Sequence, residues 1–124
     1  MKPLKTLLCI SFMLFGALMG SQAVARDANG AYRTVGMRSC AEFLQDLQAD
    51  SWQRIVNRGW LGGYITAYNY FTPNTYQILG NSGLLGAELW AKNFCEKNPL
   101  KDMADVGERL MVELYPARII KAPN

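Results

Sequence analysis

Three carboxylates, Asp102, Asp105 and Glu108, recur at every third residue, and Glu88 lies upstream of them. If folding brought two of these together, the pair could supply the general acid and base of glycoside hydrolysis. At that spacing on a helix, however, acidic residues more commonly form a solvated face. No other group converges on catalysis. Histidine is absent, which removes the commonest general base, the Ser-His and Cys-His activation schemes, and most zinc sites. The stretch Gly59-Trp60-Leu61-Gly62-Gly63 has the glycines of a phosphate cradle, but no strand pattern precedes it and no lysine follows. The titratable groups therefore argue against an enzyme, and neither a metal nor another cofactor is expected.

The cysteines carry more information. Lys2 and Lys5, the apolar run Leu7 to Met19, and Ala23-Val24-Ala25 have the three parts of a Sec-type signal peptide over residues 1–25. The apolar run falls short of the roughly 20 residues a spanning helix needs, so cleavage is expected, with no stable membrane insertion afterwards. Cys9 leaves with the signal, and export to the periplasm leaves Cys40 and Cys95 as an even pair in an oxidising compartment. The simplest reading is a disulfide. It would close a loop of about 56 residues and remove roughly 4 kcal/mol of unfolded-state entropy. The two are not in a Cys-x-x-Cys arrangement and no cationic cluster flanks either, which disfavours a redox pair. Without Lys2 and Lys5 the formal charge of +3 falls to about +1, so no basic stripe exists for nucleic acid.

About a hundred residues remain, enough for one domain with a modest core. Residues 26–38 lack helical periodicity and read as a flexible N-terminal arm. Ser39-Cys40-Ala41-Glu42 fits a capping box opening a short first helix with Cys40, Phe43, Leu44 and Leu47. Asp50-Ser51-Trp52-Gln53 offers the same device for a long second helix, stopped by Thr72-Pro73. Along it Trp52, Val56, Trp60, Tyr64 and Tyr68 form an apolar stripe expected to supply much of the core. Gly59, Gly63 and Ala67 form a neighbouring strip where another helix could approach, and unless packing compensates them the glycines should break the helix. Residues 72–81 read as a polar connector. Ser82 is expected to cap a third helix burying Leu85, Leu89 and Trp90, and Asn98-Pro99 to open a fourth carrying Leu100, Met103, Val106, Leu110 and Leu114. The result is an all-α, four-helix domain over residues 39–116 with one disulfide and a mobile tail over 117–124. Trp60, Tyr64, Tyr68, Tyr70, Phe71 and Tyr76 are the candidates for contact with a protein partner, since Tyr and Trp are favoured at interface hot spots.

Three segments carry a resemblance: Ser39 to Leu44, Gly59 to Tyr64, and Phe94-Cys95-Glu96-Lys97-Asn98-Pro99-Leu100. With these the chain resembles small exported bacterial helical proteins of the HdeA/HdeB acid-stress chaperone type, over residues 39 to about 115. The resemblance implies an α-helical fold with a Cys40–Cys95 bridge, and a non-enzymatic chaperone that loosens in acid and binds unfolding periplasmic clients, with a homodimer as one possible state. A second, weaker resemblance rests on Gly63-Tyr64-Ile65 followed by a cysteine before a final helix. It is to periplasmic immunity proteins that neutralise toxins delivered by type VI secretion. Those usually carry a cysteine just before the Gly-Tyr pair, and here that position is Gly62.

Overall fold

The computed structural model describes residues 26–49 and 51–124. The proposed signal segment, Cys9 and Asp50 lie outside the described residues. The described part of residues 1–33 is a short turn in which the Asp27 carboxylate accepts the backbone N–H groups of Asn29 and Ala31, with Arg26 stacked over the Tyr32 ring.

Residues 34–124 form a separate compact unit of four helices. These are α1 (Cys40–Gln48), α2 (Trp52–Phe71), α3 (Gly83–Lys97) and α4 (Met103–Leu114), with a 3-10 turn at Tyr115–Ala117. Among the described residues no strand forms, and the fold is all-α as expected. Cys40 and Cys95 are bonded, and both are fully buried. α3 lies at the centre, packed against the other three helices, while α2 also touches α1 and α4. Phe43, Leu61, Ile65, Val106, Leu110 and Met111 are among the side chains that fill the space between them.

Helix starts follow capping chemistry, though not always at the expected residue. Ser39 accepts the N–H of Glu42, and the Glu42 carboxylate accepts the N–H of Ser39, which completes the capping box of α1. At α2 the N-cap is Ser51, and its side chain makes no capping bond. Ser82 likewise makes none for α3. The fourth helix begins at Met103, not at Pro99. Asn98 donates its side-chain amide to Phe94 O and so closes α3 instead of opening α4. Asp102 accepts from Ala104 N and Asp105 N, with Asp105 reciprocating, and outcompetes it as N-cap. Between them Pro99 and Leu100 turn, with Lys101 N donating to Asn98 O, and Asp102 then bridges to Ser39, with Cys40 N donating to Lys101 O and Met103 N to Arg38 O. Leu100 is consequently left on the surface.

The connector 72–81 is less polar in fact than in sequence. Ile78 is fully buried, held there because its N–H donates to the Asn69 side chain at 2.8 Å. Ile119, in the segment read as a tail, pairs with Gln77 through backbone bonds, and Arg118 donates to Asn74 O. Residues 34–38 are similarly engaged: Val35 O accepts the Trp60 indole N–H at 2.8 Å, and Gly36, at φ +70°, lies against that ring.

Two glycines on facing helices behave oppositely. A Cβ on Gly107 of α4 would come within 2.8 Å of the Tyr64 ring and force it to shift, whereas a Cβ on Gly63 of α2 would meet open space. Gly107→Ala is therefore expected to destabilise the fold by about 1–3 kcal/mol through overpacking. Gly63→Ala should stabilise it by up to about 1 kcal/mol through helix propensity. Urea unfolding of both variants measures the two effects; equal effects would show that Tyr64 yields freely.

Candidate functional site

α2 joins two unlike surfaces. Its inner side carries Arg54, Asn57, Arg58, Leu61 and Ile65, and its outer side carries Trp52, Ile55, Val56, Gly59, Gly63, Thr66, Ala67 and Tyr70. The difference decides what each side does.

The inner side is fixed by two buried carboxylates on its neighbours. Asp46 of α1 accepts from Asn57 Nδ2 at 2.8 Å and from Arg38 Nε at 3.1 Å, and Gln53 orients Asn57 by donating to its Oδ1. Glu88 of α3 accepts from Arg58 Nη2 at 2.7 Å and lies 3.5 Å from Arg54 Nη2. Its side chain is only 7% exposed. Burial acts to raise the Glu88 carboxyl, but the hydrogen bonds and positive charges of Arg58 and Arg54 outweigh it and hold the group below its ordinary value. The sequence offers Glu88 only as a possible member of a catalytic carboxylate pair. It is buried because two arginines, one turn apart on α2, compensate its charge at the α2–α3 contact.

The outer side carries no charged residue over its whole length. Trp52 and Tyr70, at its ends, are 73% and 82% exposed, Ile55 and Val56 are exposed beside Trp52, and Gly59, Gly63 and Ala67 lie bare between. The Thr66 hydroxyl donates to Gly62 O at 2.8 Å and is thereby satisfied within the helix. Water thus faces a helix side built as though for burial.

The expected core stripe is corrected by this geometry. Leu61 and Ile65 are buried, on the opposite side of the helix from Trp52, while Val56 and Trp52 are exposed. The strip Gly59, Gly63 and Ala67 receives no neighbouring helix; Leu84 approaches Gly62 and Tyr64 covers Gly107. On α3, Ala87, Glu88, Ala91 and Cys95 are buried, leaving Leu85 and Leu89 exposed. The glycines did not break α2, which runs unbroken for 20 residues.

The six candidate contact residues separate into two groups. Trp60, Tyr64 and Tyr68 are partly buried against the core, with Trp60 and Tyr64 stacked at 5.5 Å. Tyr70 and Phe71 stand exposed at the end of α2, edge to face at 4.9 Å, and Tyr76 is exposed on the connector. Sequence reading missed Ile55 and placed Trp52 and Val56 inside. The signal that distinguishes the sides was present: Arg54, Asn57 and Arg58 mark the inner edge, and a helix side free of charge lies opposite.

A depression of about 490 Å³ lies between α1 and α3 and is lined by Leu44, Leu47, Leu85 and Leu89 together with Arg54, Glu88 and Lys92. Among the described residues no group of three or more His, Cys, Asp or Glu side chains is placed to hold a metal ion. No described helix is long and apolar enough to cross a membrane.

Because the folded-state carboxyl of Glu88 lies below its unfolded value, its stabilisation is present above the unfolded value and lost as pH falls through the folded one. Glu88→Gln is expected to destabilise the fold at pH 7 by about 1–3 kcal/mol, a figure reduced because both guanidiniums reach solvent. It should also flatten the fall in stability between about pH 5 and 3, read from urea unfolding at each pH; an unaltered slope would show that Glu88 does not couple to acid unfolding. No family model, curated protein or solved structure matches the chain.

Proposed function

We propose that this is a non-enzymatic, protein-binding domain of the periplasm that shields unfolding clients in acid, using the outer side of α2 as its contact surface. The observation that carries the reading is the charge-free apolar side of α2, exposed from Trp52 to Tyr70. Monomeric proteins seldom leave so continuous an apolar strip in water unless something docks there.

The acid dependence follows from the inner side. Glu88 ties α2 to α3 through charge-assisted hydrogen bonds from Arg58 and Arg54, while Asn57 ties α2 to Asp46 of α1. Protonating Glu88 at pH 2 to 3 removes the negative charge that faces Arg58 and Arg54 at a buried contact and weakens α2's attachment to α3. The disulfide keeps the remaining elements together, so the expected product is a loosened, still compact chain with more apolar surface exposed.

One observation favours a second reading. The same surface is already exposed in the folded chain, so a folded, neutral-pH form could bind one particular partner, as neutralisation of a secreted toxin would require.

At pH 2 to 3 the exported chain should suppress aggregation of an acid-denatured client, with near-UV dichroism reporting loosened packing. The double variant Trp52→Lys, Tyr70→Lys should lose most of that protection. Unchanged dichroism and no protection at that pH would remove the acid-chaperone reading, and nanomolar binding to a single toxin at pH 7 would establish the other.

A further inference from the structure

We infer that the trough between α3 and α4 is a binding site for an acidic saccharide, a sugar with a ring carboxylate of the hexuronate kind. The trough shares no residue with the outer side of α2, so its test does not depend on that surface.

The trough is a depression of about 410 Å³, within the range of small-ligand sites, and its two walls are unlike. One wall is α3, where Trp90 and Phe94, one turn apart, stack with ring centroids 5.4 Å apart and planes inclined by 15°, and Asn98 follows at the same spacing. The other is α4, where Asp105, Arg109 and Glu113 recur every four residues and so share one side of the helix. The Trp90 indole N–H donates to Glu113 at 3.0 Å, which sets the start of one row beside the end of the other and leaves Arg109 midway, level with Phe94. Both rings pack against the core. They are therefore in place before a ligand arrives, and binding orders little that is not already ordered.

The charges define what fits. Lys101 pairs with Asp105 at 3.1 Å, Glu113 accepts from Trp90, and Asn98 donates its amide to Phe94 O. Among the described residues Arg109 has no ion-pair partner, although a carboxylate stands one turn before it and another one turn after. A guanidinium presents a planar fork of donors that matches one carboxylate. With Asp105 and Glu113 flanking it, one negative charge is met, whereas a phosphate or a second carboxylate close by is repelled.

The remainder of the ligand follows from the other groups. Asp105, Glu113 and Asn98 Oδ1 keep acceptor capacity, which hydroxyl groups fill. The face of an aromatic ring is negative and draws the polarised C–H groups on one side of a sugar ring. A fatty acid would leave the acceptors unmet, and a nucleotide would bring phosphate against two carboxylates. A hydroxylated ring with a single carboxylate satisfies all three kinds of contact.

The test titrates the full exported chain, disulfide intact, with trigalacturonate at pH 7, read by calorimetry and by amide chemical shifts. Submillimolar binding is expected, with the shifts gathered on residues 90–98 and 105–113. Maltotriose, the neutral probe, should bind about ten-fold more weakly for want of one charge-assisted contact. Arg109→Gln should abolish that preference and leave both probes equally weak. Phe94→Leu, which keeps apolar packing and removes the π face, should weaken both by about ten-fold with unchanged far-UV dichroism. Arg109 is exposed, so its variant folds whatever Phe94→Leu does. The proposal is overturned if neither saccharide binds up to about 10 mM, if Arg109→Gln leaves trigalacturonate affinity untouched, or if benzoate binds as tightly as trigalacturonate.

Discussion

The covalent bond between Cys40 and Cys95 fixes the place where three of the four helices meet. Cys40 begins α1, Cys95 lies in the last turn of α3, and the extended backbone beside them bridges Ser39 to Asp102, the N-cap of α4. In a domain this small a single core gives little margin over chain entropy. Restricting the unfolded chain at this point lets α1, α3 and α4 act as a frame. α2 has no such anchor. It is held by Leu61 and Ile65 pressed into the core and by the polar bonds to Asp46 and Glu88.

That division assigns different physics to the two parts. The frame depends on a sulfur–sulfur bond and apolar packing, with carboxylate caps at the starts of α1 and α4. The attachment of α2 depends in addition on a buried charge, Glu88 between Arg58 and Arg54. The same helix bears the exposed apolar side proposed as a contact surface, so a charged contact and an apolar one share a single 20-residue element. Strength of attachment and availability for contact are thus properties of one element.

Much of the fold was legible in the sequence because local chemistry determines it. The α1 capping box, the stop of α2 at Thr72-Pro73 and the cysteine pair each rest on residues close in sequence or on compartment logic. What failed needed knowledge of neighbours. The stripe through Trp52, Val56 and Trp60 satisfies helical periodicity as well as Leu61 and Ile65 do, and only the positions of Glu88 and Asp46 decide which side turns inward. Asn98-Pro99 was a sound start signal, defeated by the paired caps of Asp102 and Asp105 four residues on. Of the candidate site, Tyr70, Phe71 and Tyr76 were placed on the surface as expected, whereas Trp60, Tyr64 and Tyr68 are largely engaged with their own chain.

Joining residue 40 to residue 95 also makes a ring of the polypeptide, with α4 attached outside it. A protease that nicks the exposed tip at Pro73 or Asn74 opens the ring without dividing the molecule, because both pieces stay tethered through sulfur. A cut after residue 97 releases the last helix outright. Any single cut between residues 40 and 95 therefore leaves one covalently joined particle.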